Sequence, residues 1–336
     1  MKKFMVKTKK PYPVMVGEKL ENVGQYCPDN MVIITDKKVF SIYGDKFPKV
    51  PVIKIAQGEG IKTLSTVHDI YGRLIDMNID RTGFILGIGG GIVSDIAGFV
   101  ASTYLRGLDF GFVASTLLSQ VDASVGGKNG VNYRGYKNMV GVFNQPEFVI
   151  ADTSMLNTLP KDELLNGFGE IVKHGAIADY AYFEFLENNY TKALALDKNI
   201  IMELVYGSVK IKAEVVNRDE LEQGERRKLN FGHTFGHAFE KTIKIPHGRA
   251  VAAGMDMAVK LSEAKGLLLK DQGARINALI KALGFSPLTG FDNEKIVEAL
   301  KKDKKREGKN IKFVLLTKIG NAIVDDISLK EIHTFL

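Results

Sequence analysis

Cysteine is nearly absent from this 336-residue chain, in which Cys27 is the only one. A single thiol excludes an internal disulfide and favours a reducing compartment. No apolar run reaches the roughly 18 residues that a membrane span requires, because the apolar stretch 99–112 contains Arg106 and Asp109. The basic segment 1–10 leads into two prolines without an apolar signal core. The sequence therefore predicts a cytoplasmic protein with no membrane partner.

No nucleic-acid-binding module is recognisable in the sequence, although the formal net charge is +7. The lysines and arginines are scattered along the whole chain, so we expect no nucleic-acid partner. The basic balance fits a mildly positive solvated surface or a positive cleft for an anionic small molecule, and both interpretations stay open. The length allows one large or two ordinary domains with a sizeable core.

The first 150 residues alternate short apolar runs with helical patterns, which predicts a parallel α/β sheet. The apolar runs are β-branched or aromatic and are bounded by Gly, Asp or Pro, which is typical of buried strands. Predicted strands cover 31–35, 52–56, 84–87, 111–114 and 148–151, and predicted helices cover 61–77 and 93–104.

After Pro160 the spacing of apolar residues becomes helical. The expected fold class is therefore α/β plus α, with an α/β domain over 1–158 and a mainly helical domain over 159–336. Predicted helices cover 161–189, 199–217, 231–243, 250–265, 270–283 and 293–301, and a short hairpin is predicted over 311–316 and 322–325.

A glycine turn, GIGGG at 87–91, follows a predicted strand and precedes a predicted helix. The backbone N–H groups of such a turn can approach a phosphate closely, and the helix N-terminus favours its negative charge. The spacing departs from the usual dinucleotide fingerprint, so a tight turn without a ligand is an equal alternative. Asp36 closes an earlier strand and could bond a ribose hydroxyl or simply cap a helix.

Three of the six histidines, His233, His237 and His247, lie within 15 residues. The spacing of four places the first two imidazoles on one helix face, and His247 is expected in a short loop. A carboxylate would complete a catalytic three-ligand metal site with an open position. Glu170, at the start of an otherwise apolar helix, is the best candidate, and His174 could compete. Satisfied structural histidines remain the alternative.

The segment 120–132 contains three glycines and several polar side chains, and its pattern fits neither a plain helix nor a strand. Lys137 and Asn138 follow it. Glycine-rich loops that carry charge are typical of functional sites. Lysines there would bind phosphate or carboxylate as point charges. A flexible solvated loop is the alternative, and it fits 134–136 better than the flanking apolar residues.

Nine further motifs span most of the chain: GGGIVSDIAGFVASTYLRG (89–107), STLLSQVDASVGGKNGVN (115–132), KNMVGVFNQP (137–146), NTLP (157–160), GFGEIVKHG (167–175), KAEVV (212–216), LNFGHTFGHAFE (229–240), HGRAVAAGM (247–255) and DKK (303–305). Together they resemble the 3-dehydroquinate synthase family from about residue 35 to residue 320. The resemblance implies a Rossmann-like NAD-binding α/β domain, a mainly helical metal-binding domain and an active site in the cleft between them. It also implies a homodimer, bound NAD+ and one divalent ion, zinc or cobalt.

The activity implied by the resemblance converts 3-deoxy-D-arabino-heptulosonate 7-phosphate, a phosphorylated sugar acid, to 3-dehydroquinate and phosphate in the shikimate pathway. The implied steps are transient oxidation by NAD+, β-elimination of phosphate, re-reduction, ring opening and an internal aldol closure. A metal ion on two vicinal hydroxyls would lower the alcohol pKa. Cationic side chains would stabilise the departing phosphate, which could itself take the proton.

The resemblance also assigns roles to individual residues. The metal ligands would be Glu170, His233 and His247. The catalytic set would be Asp122, Lys128, Lys173, Asn230 and His237. The substrate-binding set would be Arg106, acting from the partner subunit, with Lys137, Asn138, Lys212, Arg226 and Lys304. The NAD-binding set would be Asp36, Gln57, Gly58, Glu59, Lys62, Gly91, Ile92, Val93, Ser94, Asp95, Ser115, Thr116, Lys128, Lys137, Met155, Leu156, Asn157 and Thr158.

Three positions depart from the family pattern. Arg249 stands where the family has Glu after His-Gly, Ser94 replaces a common Gly, and Asn129 replaces a common Thr. Arg249 matters most, because it changes the charge beside a proposed metal ligand.

Other activities are compatible with the same architecture. Related cyclases make 2-deoxy-scyllo-inosose or valiolone-type products, but Arg226, Asn230 and His237 fit the dehydroquinate pattern. A metal-dependent polyol dehydrogenase is a second alternative, and it would release NADH as a net product. A non-catalytic binding protein is a third, disfavoured by the complete polar set.

Overall fold

The computed structural model describes residues 1–301, 306–307 and 310–336. Their contacts divide the chain into two units. The first, here called the α/β unit, comprises Met1–Pro160 and Lys212–Leu221. The second, here called the helical unit, comprises Lys161–Ile211 and Glu222–Leu336. The predicted fold class, α/β plus α, is confirmed, while the domain boundary between 158 and 159 stays a prediction.

The α/β unit contains a seven-stranded sheet whose order is β1-β2-β9-β6-β5-β3-β4. All neighbouring strands run parallel except the edge pair β1 and β2. The five predicted strands all occur in it. Its strands are β1 (Lys2–Val6), β2 (Tyr12–Val16), β3 (Met31–Asp36), β4 (Val52–Ile55), β5 (Phe84–Gly89), β6 (Asp109–Ala114) and β9 (Val149–Ala151), and its helices are α1 (Lys37–Tyr43), α2 (Leu64–Asp76) and α3 (Gly91–Thr103).

The strand order reverses direction between β3 and β5. From the end of β3 the chain crosses by α1 to β4 on one side, and from the end of β5 it crosses by α3 to β6 on the other. In open parallel sheets, ligands bind outside the carboxyl ends of the strands at such a switch point. Asp36 and the Gly89–Gly91 turn therefore lie at the edge of the sheet where a ligand is expected.

Apolar side chains on one face of the sheet form the core of the α/β unit. Ile33, Leu86, Ile88 and Ile150 are fully buried in one cluster with Phe84. The whole of β5 is buried, as expected for a parallel strand that is covered on both faces. Each such side chain contributes about 1.5–3 kcal/mol relative to an exposed one. This core holds the strand ends, and hence the site, in a fixed arrangement.

The segment expected to be irregular contains a hairpin, so that prediction was wrong. A single π-helical turn (Ser119–Ala123) is followed by β7 (Lys128–Tyr133) and β8 (Tyr136–Phe143). The connection is Arg134-Gly135, and both residues have positive φ, the backbone of the tight turn that favours Asn-Gly. The strands also pass very close together, because a Cβ on Gly130 would lie 2.6 Å from the Val140 carbonyl oxygen. A glycine in this segment, Gly130, thus lets β7 and β8 approach each other closely, because it has no Cβ.

The helical unit contains most of the helices that the sequence predicts. The predicted helix 161–189 is an exception, because it ends at Ala178 and a new helix starts after Asp179, whose carboxylate accepts from the Tyr182 N–H. The elements are α4 (Lys161–Ala178), α5 (Tyr180–Leu194), α6 (Lys198–Arg218), α7 (His233–Ile243), α8 (His247–Ala264), α9 (Lys270–Ala282), α10 (Asn293–Lys301) and α11 (Leu329–Phe335), with β10 (Arg306–Glu307), β11 (Asn310–Lys318) and β12 (Asn321–Ser328) in an antiparallel sheet.

Helix α7 has two chemically different faces. Phe235 and Phe239 are buried in the core of the helical unit, where Phe235 packs on Phe313 with ring centroids 5.0 Å apart. His233, His237 and Glu240 are half-buried on the other face. The aromatic packing thus fixes which way the histidines point. Among the residues that the structure describes, no helix combines the length and apolar character needed to cross a bilayer.

Candidate active site

The segments predicted to bind the dinucleotide all follow the carboxyl ends of parallel strands. Asp36 ends β3, the segment 57–62 follows β4, and 91–95 follows β5. Ser115 and Thr116 follow β6, and 155–158 follows β9. Because these ends share one edge of the sheet, the structure brings these predicted segments together. The side chains of Val93, Met155 and Leu156 are buried in the core, so only their backbone atoms are available to a ligand.

Hydrogen bonds join several of these segments. Asp36 Oδ1 accepts from the N–H groups of Lys38 and Val39 at 2.9 Å, so it caps α1, and from Gln57 Nε2 at 3.2 Å. The alternative prediction, that Asp36 caps a helix, is therefore correct, and the cap uses the Oδ1 atom. Tyr43, at the end of α1, donates to the Met155 carbonyl at 3.1 Å and lies 2.6 Å from Thr158 Oγ1.

The glycine turn retains groups that suit a phosphate or a polar ligand. Gly90 precedes α3 without a side-chain cap in the described residues, so the N–H groups of the first turn remain available. The Ser115 N–H donates to the Gly89 carbonyl at 2.9 Å. The Ser115 hydroxyl is buried and has no hydrogen-bond partner among the described residues. An orphaned buried hydroxyl beside a glycine turn fits a missing polar ligand.

Lys62 is a buried cation that joins the strand edge to the hairpin. Its ammonium donates to Asp95 Oδ2 and to Asn138 Oδ1. Burial raises the pKa of the Asp95 carboxyl, although the charge of Lys62 acts in the opposite direction. Lys62 and Asn138 were predicted for different ligands, and the structure places them in contact.

The remaining predicted residues of the α/β unit lie on the hairpin, on segments that precede it in the chain, or on α6. Lys212, in the C-terminal half of α6, forms an ion pair with Asp122 at 2.8 Å, although 90 residues separate them in the chain. Lys128 begins β7, and Lys137 lies at the start of β8, both exposed. Arg106 is exposed in a left-handed conformation with φ 71°.

Glu170, His233 and His247 come together in the helical unit. Each offers one ligand atom, and the three atoms lie within 4.8 Å of one another. His233 Nε2 is 3.6 Å from Glu170 Oε1. The expected loop position of His247 was wrong, because this residue is the first of α8, directly after Pro246. Two imidazoles and one carboxylate at this spacing fit a tetrahedral metal ion with an open position.

Each of the three side chains is oriented by a second group. His233 Nδ1 is 3.2 Å from the Phe231 carbonyl, and His247 Nδ1 is 3.3 Å from Glu240 Oε2. A ring whose Nδ1–H donates carries its lone pair on Nε2, which is the metal-binding tautomer. Lys173, buried on α4, pairs with the second oxygen of Glu170. Glu240 was missed in the sequence, although its spacing of seven from His233 places both on one face of α7.

Other predicted residues of the helical unit surround this cluster or lie elsewhere. The ring of His237 is 5.5 Å from that of His233 and 6.3 Å from that of His247. His174 is buried on α4 with Nδ1 2.6 Å from Ser208 Oγ. Arg226 and Asn230 lie in one 3₁₀ turn (Glu225–Asn230). The side chain of Arg226 is buried, and the Asn230 amide donates to the Glu222 carboxylate at 3.1 Å. Lys304 lies outside the described residues. Arg249 is exposed, and nothing in the described structure explains its presence there.

The fold and the cluster of Glu170, His233 and His247 are those of a metal-dependent enzyme class with a Rossmann-like unit and a helical unit that contains two histidines and one glutamate as candidate ligands. Two family models match, the N-terminal part of 3-dehydroquinate synthase over 52–166 and its C-terminal part over 167–306. A 3-dehydroquinate synthase of Streptococcus mutans is 39% identical over 98% of this chain and 97% of its own length. The chain belongs to the 3-dehydroquinate synthase family.

Solved structures of related cyclases have the same fold. A 2-deoxy-scyllo-inosose synthase with bound carbaglucose-6-phosphate, NAD+ and Co2+ matches with TM-score 0.89 and 27% identity, over 99% of this chain and 98% of that one. A 2-epi-5-epi-valiolone synthase from Streptomyces hygroscopicus, with NAD+ and Zn2+, matches with TM-score 0.88 and 25% identity, over 96% and 95%. The relatives confirm the predicted enzyme type, a phosphorus–oxygen lyase of the 3-dehydroquinate synthase kind, while the roles of individual residues stay predictions.

Proposed function

We propose that this chain converts 3-deoxy-D-arabino-heptulosonate 7-phosphate to 3-dehydroquinate and phosphate, with NAD+ and one zinc or cobalt ion as cofactors. Family membership supports the reaction, and the ligands of the two solved cyclases support the cofactors. The observation that carries the proposal is the cluster of Glu170, His233 and His247. When bound, NAD+ supplies reversible hydride transfer and the ion supplies Lewis acidity toward a sugar hydroxyl.

The proposed metal ligands are Glu170, His233 and His247. Three protein ligands leave coordination positions open for the substrate, as in catalytic zinc sites. Phe231 and Glu240 hold the two imidazoles in the metal-binding tautomer, and Lys173 holds the carboxylate of Glu170. The protein thereby positions all three ligands before the ion binds.

The proposed NAD+ site is the carboxyl edge of the sheet. The three hydrogen bonds that Asp36 accepts from described residues all end on Oδ1, which leaves Oδ2 as an acceptor for the adenine ribose. The first turn of α3 would bind the pyrophosphate, and the Ser115 hydroxyl would gain the partner it lacks. The further segments proposed for this cofactor are 57–62, 91–95, Thr116 and 155–158, with Lys128 and Lys137.

The proposed phosphate site combines cations with neutral donors. Lys128, Lys137, Asn138, His237 and Lys304 would bind the phosphate, with Arg106 acting from the partner subunit. Cations stabilise the charge that develops as phosphate leaves, and pre-positioned ones need no reorganisation at that moment. Lys212, Arg226 and Asn230 would hold the carboxylate end. Asp122, which Lys212 orients through their ion pair, would accept from a substrate hydroxyl.

The decisive experiment supplies the heptulosonate phosphate and NAD+ and measures both phosphate and NADH. We expect phosphate release without net NADH, and loss of nearly all phosphate release after treatment with a chelator, restored by Zn2+ or Co2+. Net NADH formation in proportion to product would indicate the dehydrogenase alternative instead. Phosphate release that persists in full after verified removal of all metal would refute the proposed ligand site.

A homodimer in the cytoplasm is proposed as the working state. The single cysteine supports a reducing compartment. Exposed apolar side chains on β8 support self-association, since Tyr136, Met139 and Phe143 are each about half exposed. Leu105, beside Arg106, is exposed too. Sedimentation velocity tests this, and a monomer at assay concentrations would contradict both the dimer and the proposed role of Arg106.

Removal of the Glu240 carboxylate is expected to weaken metal binding more than folding. Without it, His247 loses the acceptor that holds its tautomer and ring orientation. Glu240→Ala should raise the Zn2+ dissociation constant by roughly 10- to 100-fold. Competition with a fluorescent chelator measures this constant without reference to turnover. The exposed Glu184 on α5 provides the matched control, Glu184→Ala. A Zn2+ affinity within threefold of the unsubstituted protein would show that Glu240 does not orient this ligand.

A further inference from the structure

Asn132, in β7, is not among the predicted site residues. Its polar groups nevertheless form hydrogen bonds with three residues that are predicted to belong to the site. Its N–H donates to the Lys62 carbonyl at 2.8 Å. Its side-chain Nδ2 donates to Glu59 Oε1 at 2.7 Å, and its Oδ1 accepts from the Asn138 N–H at 2.9 Å. One half-buried amide therefore connects the segment after β4 to strand β8.

The contact between Asn132 and Asn138 coincides with an irregularity in the hairpin. The register shifts between Val131 and Tyr133, where β8 contains extra residues. Asn138 lies in this bulge with φ 50°, a left-handed conformation that asparagine tolerates better than most residues. Bulges redirect side chains and are frequent beside active sites. The hydrogen bond from Asn138 N–H to Asn132 holds the bulge in this conformation.

The orientation of the Asn138 amide follows from its other partner. Asn138 Oδ1 accepts from the buried ammonium of Lys62, which can only donate. The NH2 group of Asn138 therefore points away from Lys62 and remains a donor, the polarity that a phosphate oxygen requires. Lys62 is also bonded to Asp95, so the same network continues to the proposed NAD+ segment.

We propose that Asn132 is a positioning residue for phosphate recognition. It fixes the bulge of β8, so that Asn138 presents its NH2 group to the phosphate of the substrate. This inference rests on the proposed function for the identity of the substrate. Its physical content is narrower, namely that an anion is bound by Asn138 and that Asn132 acts through that residue.

Asn132→Ala is expected to weaken phosphate binding while leaving turnover nearly unchanged. Loss of the hydrogen bonds around Asn138 should raise the KM for the heptulosonate phosphate, and the dissociation constant of inorganic phosphate, about tenfold. The kcat should change by less than about threefold, because Asn132 does not touch the reacting atoms. Asn132→Ser, which also cannot bridge to Asn138, should show the same KM effect if the alanine variant folds poorly.

A double-mutant cycle separates positioning from a general structural role. Asn138→Ala should itself raise the phosphate dissociation constant, and adding Asn132→Ala to it should change the constant by less than about twofold, because the residue through which Asn132 acts is gone. The matched control is Asn144→Ala, which removes one hydrogen bond, to Ser102 at 2.9 Å, beyond the other end of β8. That control should bind phosphate normally.

Two results would overturn the proposal. One is additive effects of the Asn132 and Asn138 substitutions, and the other is a control variant that weakens phosphate binding as much as Asn132→Ala. Failure of the proposed function is recognised separately, because the unsubstituted enzyme would then not release phosphate from the heptulosonate phosphate. The dissociation constant of inorganic phosphate still tests the positioning role in that case.

Discussion

Replacement of Glu170 with glutamine is expected to abolish phosphate release from the heptulosonate phosphate, with a loss of at least about 1000-fold in kcat. The substitution keeps the shape of the side chain but removes the anionic ligand of the proposed site. A metal ion used as a Lewis acid supplies several kcal/mol of transition-state stabilisation, and about 4 kcal/mol corresponds to a factor of 1000 in rate. The Zn2+ dissociation constant should rise in parallel.

The measurement must distinguish loss of the metal from loss of the fold. Glu170 is buried and pairs with the buried Lys173, so the neutral variant also perturbs a desolvated charge pair. Circular dichroism and thermal melting establish whether Glu170→Gln is folded, and Glu170→Asp keeps the charge at a shorter reach. Glu184→Gln, an exposed change on α5, should retain full activity. A folded Glu170→Gln enzyme with phosphate release within tenfold of normal would remove Glu170 from the ligand set.

The elements that could be predicted from the sequence are those whose local pattern agrees with their environment. The run 31–35 is β-branched and lies in a strand buried on both faces, and 84–87 lies within the fully buried β5. By contrast, β1 is the edge strand of the sheet and its residues, KKFMV, are only half buried. In the neighbouring strand β2, Pro13 interrupts the usual strand pattern. The half-buried edge strand lacks a continuous apolar signal, and a proline within a run argues against a strand, which explains why neither strand was predicted.

The hairpin and the start of α8 show how local chemistry misleads. The turn Arg134-Gly135 has the backbone of an Asn-Gly turn without its usual sequence, so the glycines of 120–132 favoured a loop. His247 follows a proline, a pattern typical of a loop, but Pro246 instead directly precedes the first turn of α8. Proline just before a helix is compatible with the free N–H groups of its first turn.

Some residues of the candidate site could be predicted from the sequence, and others are recognised only from their contacts in the structure. Spacing and resemblance predict Glu170, His233 and His247 as one group, because histidines are rare in this chain and a four-residue interval is informative, and the structure brings the three side chains together. The partners Glu240 and Asn132 were missed, since single glutamates and asparagines are common and carry no signal alone. The pairing of Asp122 with Lys212 depends on bringing together residues 90 positions apart, which no local pattern contains.

Gly254→Ala is expected to lower thermal stability and to disrupt the metal site together. A Cβ at Gly254 would lie 1.9 Å from the Gly232 carbonyl oxygen and 2.6 Å from the Gly236 nitrogen. Both are backbone atoms, so no side-chain rotation can relieve the clash, and α7 must move away from α8. Overpacking of this kind costs typically about 1–3 kcal/mol, and the short distances favour the upper value. The melting midpoint of the helical unit should fall by roughly 5–10 °C.

The effect on metal binding follows from where the two helices begin. His233 is the residue directly after Gly232, and His247 is the first residue of α8, which also contains Gly254. Separation of α7 from α8 therefore changes the distance between two proposed ligands, whose rings are now 5.7 Å apart. We expect the Zn2+ dissociation constant to rise at least about tenfold, in line with the sensitivity of such sites to ligand orientation. Calorimetry and chelator competition measure the two effects independently.

Gly72→Ala provides a control of opposite sign. Gly72 is in the middle of α2, and a Cβ there would have no neighbour within 4 Å. Alanine in an open helical position is favoured over glycine by about 0.8–1 kcal/mol, so this variant should melt slightly higher and bind Zn2+ normally. If Gly254→Ala also melted at or above the unsubstituted protein, α7 and α8 could not approach as closely as described. If it melted lower but bound Zn2+ normally, their close contact would stabilise the fold without setting the spacing of His233 and His247.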